Sequence, residues 1–125
     1  MSNEKLIYIA SKYSDINSGA KLKNTHVSFD AAIELYEKSN HQLVPYPPLW
    51  THFLDERMDY LGYPPRPNEY WYAFDNVIVP RCDSMIKLTK TGVSKGADAE
   101  EDLFKKLGKP VYYSIMDCCV HEAHS

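Results

Sequence analysis

The 125-residue chain has no apolar run near the ~20 residues that a membrane-spanning helix requires. Its opening residues lack the basic, apolar and small-residue succession of a secretory signal, so neither membrane insertion nor export is expected. Charge of one sign is also missing: 14 Lys and Arg against 17 Asp and Glu leave a formal charge of −3. That balance argues against a duplex nucleic-acid partner, which calls for a basic stripe. Cysteine is scarce, and Cys82, Cys118 and Cys119 form an odd set whose adjacent pair is badly placed to bridge itself. A reduced, cytoplasmic setting is expected. Neither GxGxxG nor GxxxxGK[ST] occurs, which removes the sequence case for a dinucleotide or triphosphatase site.

What the chain does have is ten tyrosines, eight prolines and a regular alternation of elements. Its length suits one domain that buries about two-thirds of its unfolded surface. Residues 1–115 read as that domain and residues 116–125 as a C-terminal tail. Leu6 to Ala10 is an apolar run too short for a typical helix and reads as a strand. Ser28 to Lys38 places Phe29, Ala32, Ile33 and Tyr36 at helical spacing. Gln42 to Tyr46 reads as a second strand, closed by Pro47 and Pro48. Trp50 to Leu61 carries another helical stripe, of Trp50, Phe53, Leu54, Met58 and Leu61. After Pro64, Pro65 and Pro67, Asn68 is a candidate cap for a helix to about Val79. Ser84 to Leu88 and Pro110 to Ile115 supply two more strands, on either side of a helix over Ala97 to Leu107. Strands alternating with helices predict an α/β fold with a parallel sheet. In such folds ligands bind beyond the carboxyl ends of the strands, which directs attention to the residues after Ala10, Tyr46 and Leu88.

Two carboxylates sit where the pattern does not want charge. Ala99, Leu103, Phe104 and Leu107 form the predicted apolar stripe of the Ala97–Leu107 helix, and Glu100 falls inside it. Asp98, Glu101, Asp102, Lys105 and Lys106 lie on the other side. Near the helix start, the dipole is expected to favour ionised Glu100, as a nucleophile or general base requires. The structural alternative is a buried Glu that caps a neighbouring backbone or pairs with Lys. Asp75 repeats the anomaly among Trp71, Tyr72, Ile78 and Val79. Apolar company raises a carboxyl pKa, so Asp75 is a candidate proton donor. One carboxylate to attack and one to donate is the division of labour of glycosidic cleavage.

Other constellations carry less. Cys118, Cys119, His121 and His124 converge badly as metal ligands, so the tail reads as loosely ordered and no metal site is assigned. His52, Asp55 and Asp59 share a helix face and read as a solvated polar surface. Cys82 reads as a small buried residue.

With these residues on the page, the sequence resembles the nucleoside 2-deoxyribosyltransferase superfamily, which includes 2'-deoxynucleoside 5'-monophosphate N-glycosidases and related phage and bacterial proteins. The resemblance rests on Tyr8 in IYIAS, Asp75 in DNVIVPRCD, Ser94 and Glu100 in SKGADAE, and GKPV at 108–111. It covers Leu6 to Ser11 and Glu69 to Val111. It implies a flavodoxin-like (Rossmann-like) sheet, a Glu100 nucleophile attacking C1' of a deoxyribosyl group, and a Tyr8 hydroxyl that holds Glu100. It also implies that Asp75 protonates the departing base and that Ser94, with the backbone N–H groups of Lys95 and Gly96, lies near the sugar 5' end. Water would complete hydrolysis, and a second base would complete transfer. No cofactor is implied, and a homo-oligomer is. The glycine and arginine with which monophosphate hydrolases of the family grip phosphate are missing after Tyr8. Ser11 and Lys12 follow that strand instead, and Lys12, Ser14 and Lys95 are the candidate substitutes. Trp71, within the aromatic stretch from Tyr46 to Tyr72, is a candidate for stacking on a base. The expected function is cleavage of the N-glycosidic bond of a 2'-deoxynucleoside or its 5'-monophosphate. The alternatives are a non-catalytic nucleotide-binding module of the same fold, or a glycosidase for a ribonucleotide or NAD.

Overall fold

The short apolar run at the start of the chain becomes the centre of the sheet. In a computed structural model, which describes residues 4–13, 18–89 and 92–123, β1 (Lys5–Ala10) is followed by α1 (Ser18–Lys38) and β2 (Leu43–Tyr46). A 3₁₀ turn at Pro48–Trp50 leads into α2 (Thr51–Tyr60), and α3 (Asn68–Ile78) ends in a second such turn at Val79–Arg81. Then come β3 (Ser84–Lys87), α4 (Lys95–Lys106), β4 (Val111–Tyr112) and α5 (Ile115–Glu122). All four strands are parallel, in the order β2-β1-β3-β4. This is the expected α/β arrangement, consistent with a flavodoxin-like fold.

The period-2 geometry of β1 sorts the core into two layers. Ile7 and Ile9 point to one face and pack with Ala31 and Leu35 of α1, Leu43, Ile86 and Cys118. Tyr8 and Ala10 point to the other, with Val79, Cys82, Met85, and Ala97 and Phe104 of α4. β2 is an edge strand, where Pro45, paired with Ile7, is tolerated because one row of its backbone groups needs no partner. The chain leaves β1 for β2 on one side and returns across the sheet to β3 on the other. That reversal opens a crevice beyond the carboxyl ends of β1 and β3.

Several expectations are corrected. α1 begins ten residues earlier than its periodicity indicates, at Ser18 rather than Ser28. Its first half buries Asn24, Thr25 and Ser28: Thr25 Oγ1 donates to the Lys21 carbonyl at 3.0 Å and Asn24 Nδ2 to the Tyr13 carbonyl at 3.3 Å, while Ser28 Oγ has no partner. Hydrophobic spacing is blind to burial of that kind. Asn68 does not cap α3; Pro67 holds the cap position, with no side-chain bond. The tail is not loose over its described part. α5 is capped by Ser114 Oγ, buries Cys118 completely, and is tied down by Glu122, which accepts from Lys5 Nζ at 2.7 Å and Tyr112 Oη at 2.5 Å. The fold therefore continues past residue 115. His124 lies outside the described residues. Among the described residues, no helix is long and apolar enough to cross a membrane.

Candidate active site

Tyr8 is the floor of the site. It lies mid-strand, fully buried, with its ring stacked on Tyr46 at 5.8 Å and tilted against Phe104 at 5.6 Å. A phenol held between two rings has little rotational freedom, so its hydroxyl is aimed by packing. That hydroxyl donates to Glu100 Oε2 in a short hydrogen bond. Burial first, and the Glu100 carboxylate second, push the Tyr8 pKa far above that of a free phenol, so Tyr8 stays a donor.

Above it, one cavity of about 500 Å³ is lined by both misplaced carboxylates, Glu100 from α4 and Asp75 from α3. Asp75 Oδ1 is buried without a hydrogen-bond partner, and burial raises this carboxyl to about 7. That is the donor character its apolar neighbours predict. Glu100 departs from expectation. Burial raises it to about 7 as well, the Tyr8 hydrogen bond pulls it down in part, and nearby Asp75 adds to the rise. The dipole argument fails because α4 begins at Lys95, which leaves Glu100 beyond the first turn where the dipole acts. The predicted stripe also shifts around the helix: Ala97 and Phe104 are buried, whereas Ala99 and Leu107 are exposed. Two interacting carboxyls near neutrality titrate as a pair, with an intermediate form that holds one proton between them.

A raised carboxyl also weakens the fold as it ionises. Its folded pKa lies above the ordinary 4.5, so stability is full below about 4.5 and is lost as pH rises through about 7. Glu100→Gln keeps the shape without the charge. The variant should match the wild type below pH 4.5 and exceed it at pH 8 by on the order of 2–3 kcal/mol. Urea denaturation at both pH values measures this, and equal stability at pH 8 would refute burial as the cause.

The other expected site residues gather at the same cavity. Ser11 and Lys12 enter from the end of β1, Trp71 from α3, and Ser94, Lys95 and Gly96 from the start of α4. Ser11 Oγ is buried with no partner. Ser94 caps α4, its oxygen accepting from the Ala97 N–H at 3.1 Å, which leaves its hydroxyl proton and one lone pair for a ligand. Gly96 is not sterically required, since an added Cβ would meet Tyr72 Oη and Ser94 Oγ at ordinary distances of 3.7 and 3.8 Å. The obligatory glycine is Gly92, whose φ of +112° suits no other residue and which lies against the Lys12 side chain. Ser14 lies outside the described residues.

The cavity also has a wall that the sequence pattern does not reveal. The His52, Asp55 and Asp59 face is not simply solvated. His52 is 6 % exposed and shares a 2.6 Å hydrogen bond with the Tyr13 hydroxyl. Arg66 threads between the two acids, with Nε on Asp55 at 2.7 Å and a terminal nitrogen on Asp59 at 2.5 Å. It also donates to the Asp55 and Pro64 carbonyls at 2.9 and 2.7 Å. Arg66 therefore pins the proline-rich connection between α2 and α3 to the cavity edge. The one sequence signal for it was a lone arginine among three prolines, facing acids four apart. Cys82 is buried as expected, and burial raises its thiol to about 12, which leaves it inert.

The class of molecule that fold and site define is a parallel α/β domain with a carboxylate pair in the crevice of its sheet. Compared with protein-family models and with curated proteins, the chain matches none. Chemically, the arrangement is equipped to hold one carboxyl ionised and one protonated at neutral pH, beside a cavity of small-molecule size.

Proposed function

We propose that the chain cleaves the N-glycosidic bond of a 2'-deoxynucleoside or its 5'-monophosphate, by hydrolysis or transfer, through an ester between Glu100 and C1' of the sugar. The observation that carries this reading is the meeting of Glu100 and Asp75 at one cavity, both raised to about 7, with the buried Tyr8 hydroxyl bonded to Glu100 from behind. The resemblance to the nucleoside 2-deoxyribosyltransferase superfamily assigns the same three residues the same roles.

Chemistry follows from the proton count. Tyr8 occupies Oε2 of Glu100, which leaves Oε1 to attack. As the bond from Oε1 to C1' forms, the bond from C1' to the base nitrogen breaks and its electron pair leaves with the base. Asp75 delivers its proton to that base, which is costly to expel as an anion. Water, or a nitrogen of a second base, then attacks C1' and gives its proton to the Asp75 carboxylate. The ester bond breaks and Glu100 returns as a carboxylate. Two displacements retain configuration. Trp71 and Tyr72 offer aromatic surface at the cavity for the base, and Lys12 and Lys95 offer positive charge for a phosphate. The reading includes association of copies of this chain, which the exposed Tyr70, Phe74 and Val77 of α3 support.

The test is chromatography for free base after incubation with deoxynucleosides, their 5'-monophosphates, ribonucleotides and NAD. Wild type and Glu100→Ala are run together, with and without an acceptor base. Base from the deoxy substrates with wild type alone is the expected result, and a new nucleoside with acceptor identifies transfer. Release that persists undiminished in Glu100→Ala rules out the mechanism.

A further inference from the structure

Glu100 reaches Tyr8 only if α4 is turned correctly about its own axis, and packing supplies only part of that constraint. Of the side chains of α4, only Ala97 and Phe104 are buried. Ala97 is small, and the larger anchors, Phe104 against the Tyr8 ring and the partly buried Leu103, both lie in the turn after Glu100. A second constraint comes from Lys87, the last residue of β3. Its Nζ bonds Asp98 Oδ1 at 2.5 Å and Glu101 Oε1 at 2.9 Å. Asp98 and Glu101 are three residues apart and so share one helix face. Glu100 lies about 100° around the helix from Glu101, toward the cavity. A single ammonium thus grips α4 at two points, one on each side of Glu100 in sequence.

The grip is tied to the strands beneath the site. Lys87 pairs in register with Ala10, two residues beyond Tyr8 on β1, and lies two residues from Met85, on the sheet face that Tyr8 shares. Lys87 and Glu101 side chains are only 16 % and 14 % exposed, so solvent competes weakly for this contact. Glu101 is further held by the Tyr113 hydroxyl and by Lys105 at 3.3 Å. That clasp holds the Glu101 carboxyl down at about 2, through Tyr113 first and Lys87 next. Glu101 therefore stays ionised across the range in which Glu100 and Asp75 titrate.

We infer that Lys87 is a positioning residue for the proposed reaction: by gripping Asp98 and Glu101 it fixes the rotation of α4 that delivers Glu100 to Tyr8 and the cavity. This rests on the glycosidase reading for its kinetic consequence and on geometry alone for its structural one. Without Lys87, Asp98 loses its cation and Glu101 Oε1 loses its partner. Two like charges are left on one helix face with only the exposed Lys105 and the Tyr113 hydroxyl on Glu101, and turning α4 outward is the relief available to them.

The experiment compares Lys87→Met, Lys87→Arg and Lys105→Met, with Lys105 serving as the exposed partner of the same Glu101. Base release gives kcat and KM, and ¹³C NMR titration follows the Glu100 carboxyl, identified by its absence in Glu100→Gln. Lys87→Met should lose roughly 10- to 100-fold in kcat with KM nearly unchanged, as expected for misplacement of a reacting group by about 1 Å. Lys87→Arg should recover most of that loss, and Lys105→Met should show none. The titration separates positioning from simple charge removal. The groups acting on Glu100 are Tyr8 from β1 and Asp75 from α3, with Lys12 and Lys95 lining the same cavity. Loss of a cation would raise the Glu100 midpoint, whereas turning Glu100 out of its buried site lowers it from about 7 toward the ordinary carboxylate range. A fall is expected. Should Lys87→Met fail to fold, Asp98→Asn removes one grip point at a half-exposed residue, and a smaller fall in kcat and midpoint together is expected. A folded Lys87→Met with undiminished kcat, or a midpoint that stays or rises, overturns the inference, as does an Asp98→Asn that changes neither. If wild type cleaves no substrate, the glycosidase reading falls and the titration alone decides Lys87.

Discussion

Glu100→Gln lowers base release by roughly 10³- to 10⁶-fold, the range for removing a nucleophile from a site that otherwise stays assembled. The amide keeps the size of the carboxyl and its acceptor oxygen toward Tyr8, so the cavity and substrate affinity are retained. What disappears is the ionised oxygen that forms the ester. The loss therefore falls on kcat, with KM or ligand-induced Tm shifts close to wild type. Glu100→Ala should show the same kinetic loss and, in addition, leave the buried Tyr8 hydroxyl without its acceptor. If Glu100→Gln released base at more than about a tenth of the wild-type rate, covalent catalysis through this residue would be excluded.

The second large effect is expected at Asp75. Asp75→Asn removes the acid and should cost roughly 10²- to 10⁴-fold in kcat. The cost should be smaller for a base that leaves readily without protonation, such as a cationic N7-methylated purine. Its pH dependence is the sharper diagnostic. Wild type needs Glu100 ionised and Asp75 protonated, and both sit at about 7. Its kcat/KM should therefore be bell-shaped, falling below about 7 as Glu100 takes a proton and above about 7 as Asp75 loses one. In Asp75→Asn the alkaline limb vanishes. The acid limb stays close to its wild-type position, because Asp75 is protonated there and a neutral carboxyl, like the amide that replaces it, exerts no repulsion on Glu100. Rates of wild type and variant from pH 5 to 9 measure both limbs. An alkaline limb that survives in Asp75→Asn would assign the acid to another group.

Much of the site was legible because its anomaly is local. Helical spacing is enough to place Asp75 and Glu100 among apolar neighbours, and an apolar five-residue run is enough to identify the central strand that carries Tyr8. The same local logic failed where polar side chains do the packing. The first half of α1 turns Asn24 and Thr25 inward, and α5 presents Cys118 to the core while Glu122 bonds Lys5, 117 residues away in the chain. No window along the sequence contains both ends of such a contact. Glu100 itself was placed correctly and charged wrongly, because the depth of a carboxyl in the fold, rather than its distance from a helix end, sets its pKa here.

By itself the sequence determined the alternation of strands and helices, the parallel sheet and the identity of the misplaced carboxylates, since each follows from periodicities of two and 3.6 residues. Only the tertiary structure decided which of these residues meet. Tyr8 and Glu100 are 92 residues apart and share a hydrogen bond, Arg66 closes on Asp55 and Asp59, and Lys87 grips α4 from another element. Those contacts depend on the order β2-β1-β3-β4, whose reversal beside β1 brings the ends of β1 and β3 together with α3 and α4 around one cavity. Strand order is settled by the global packing of buried faces, a quantity that no local pattern encodes.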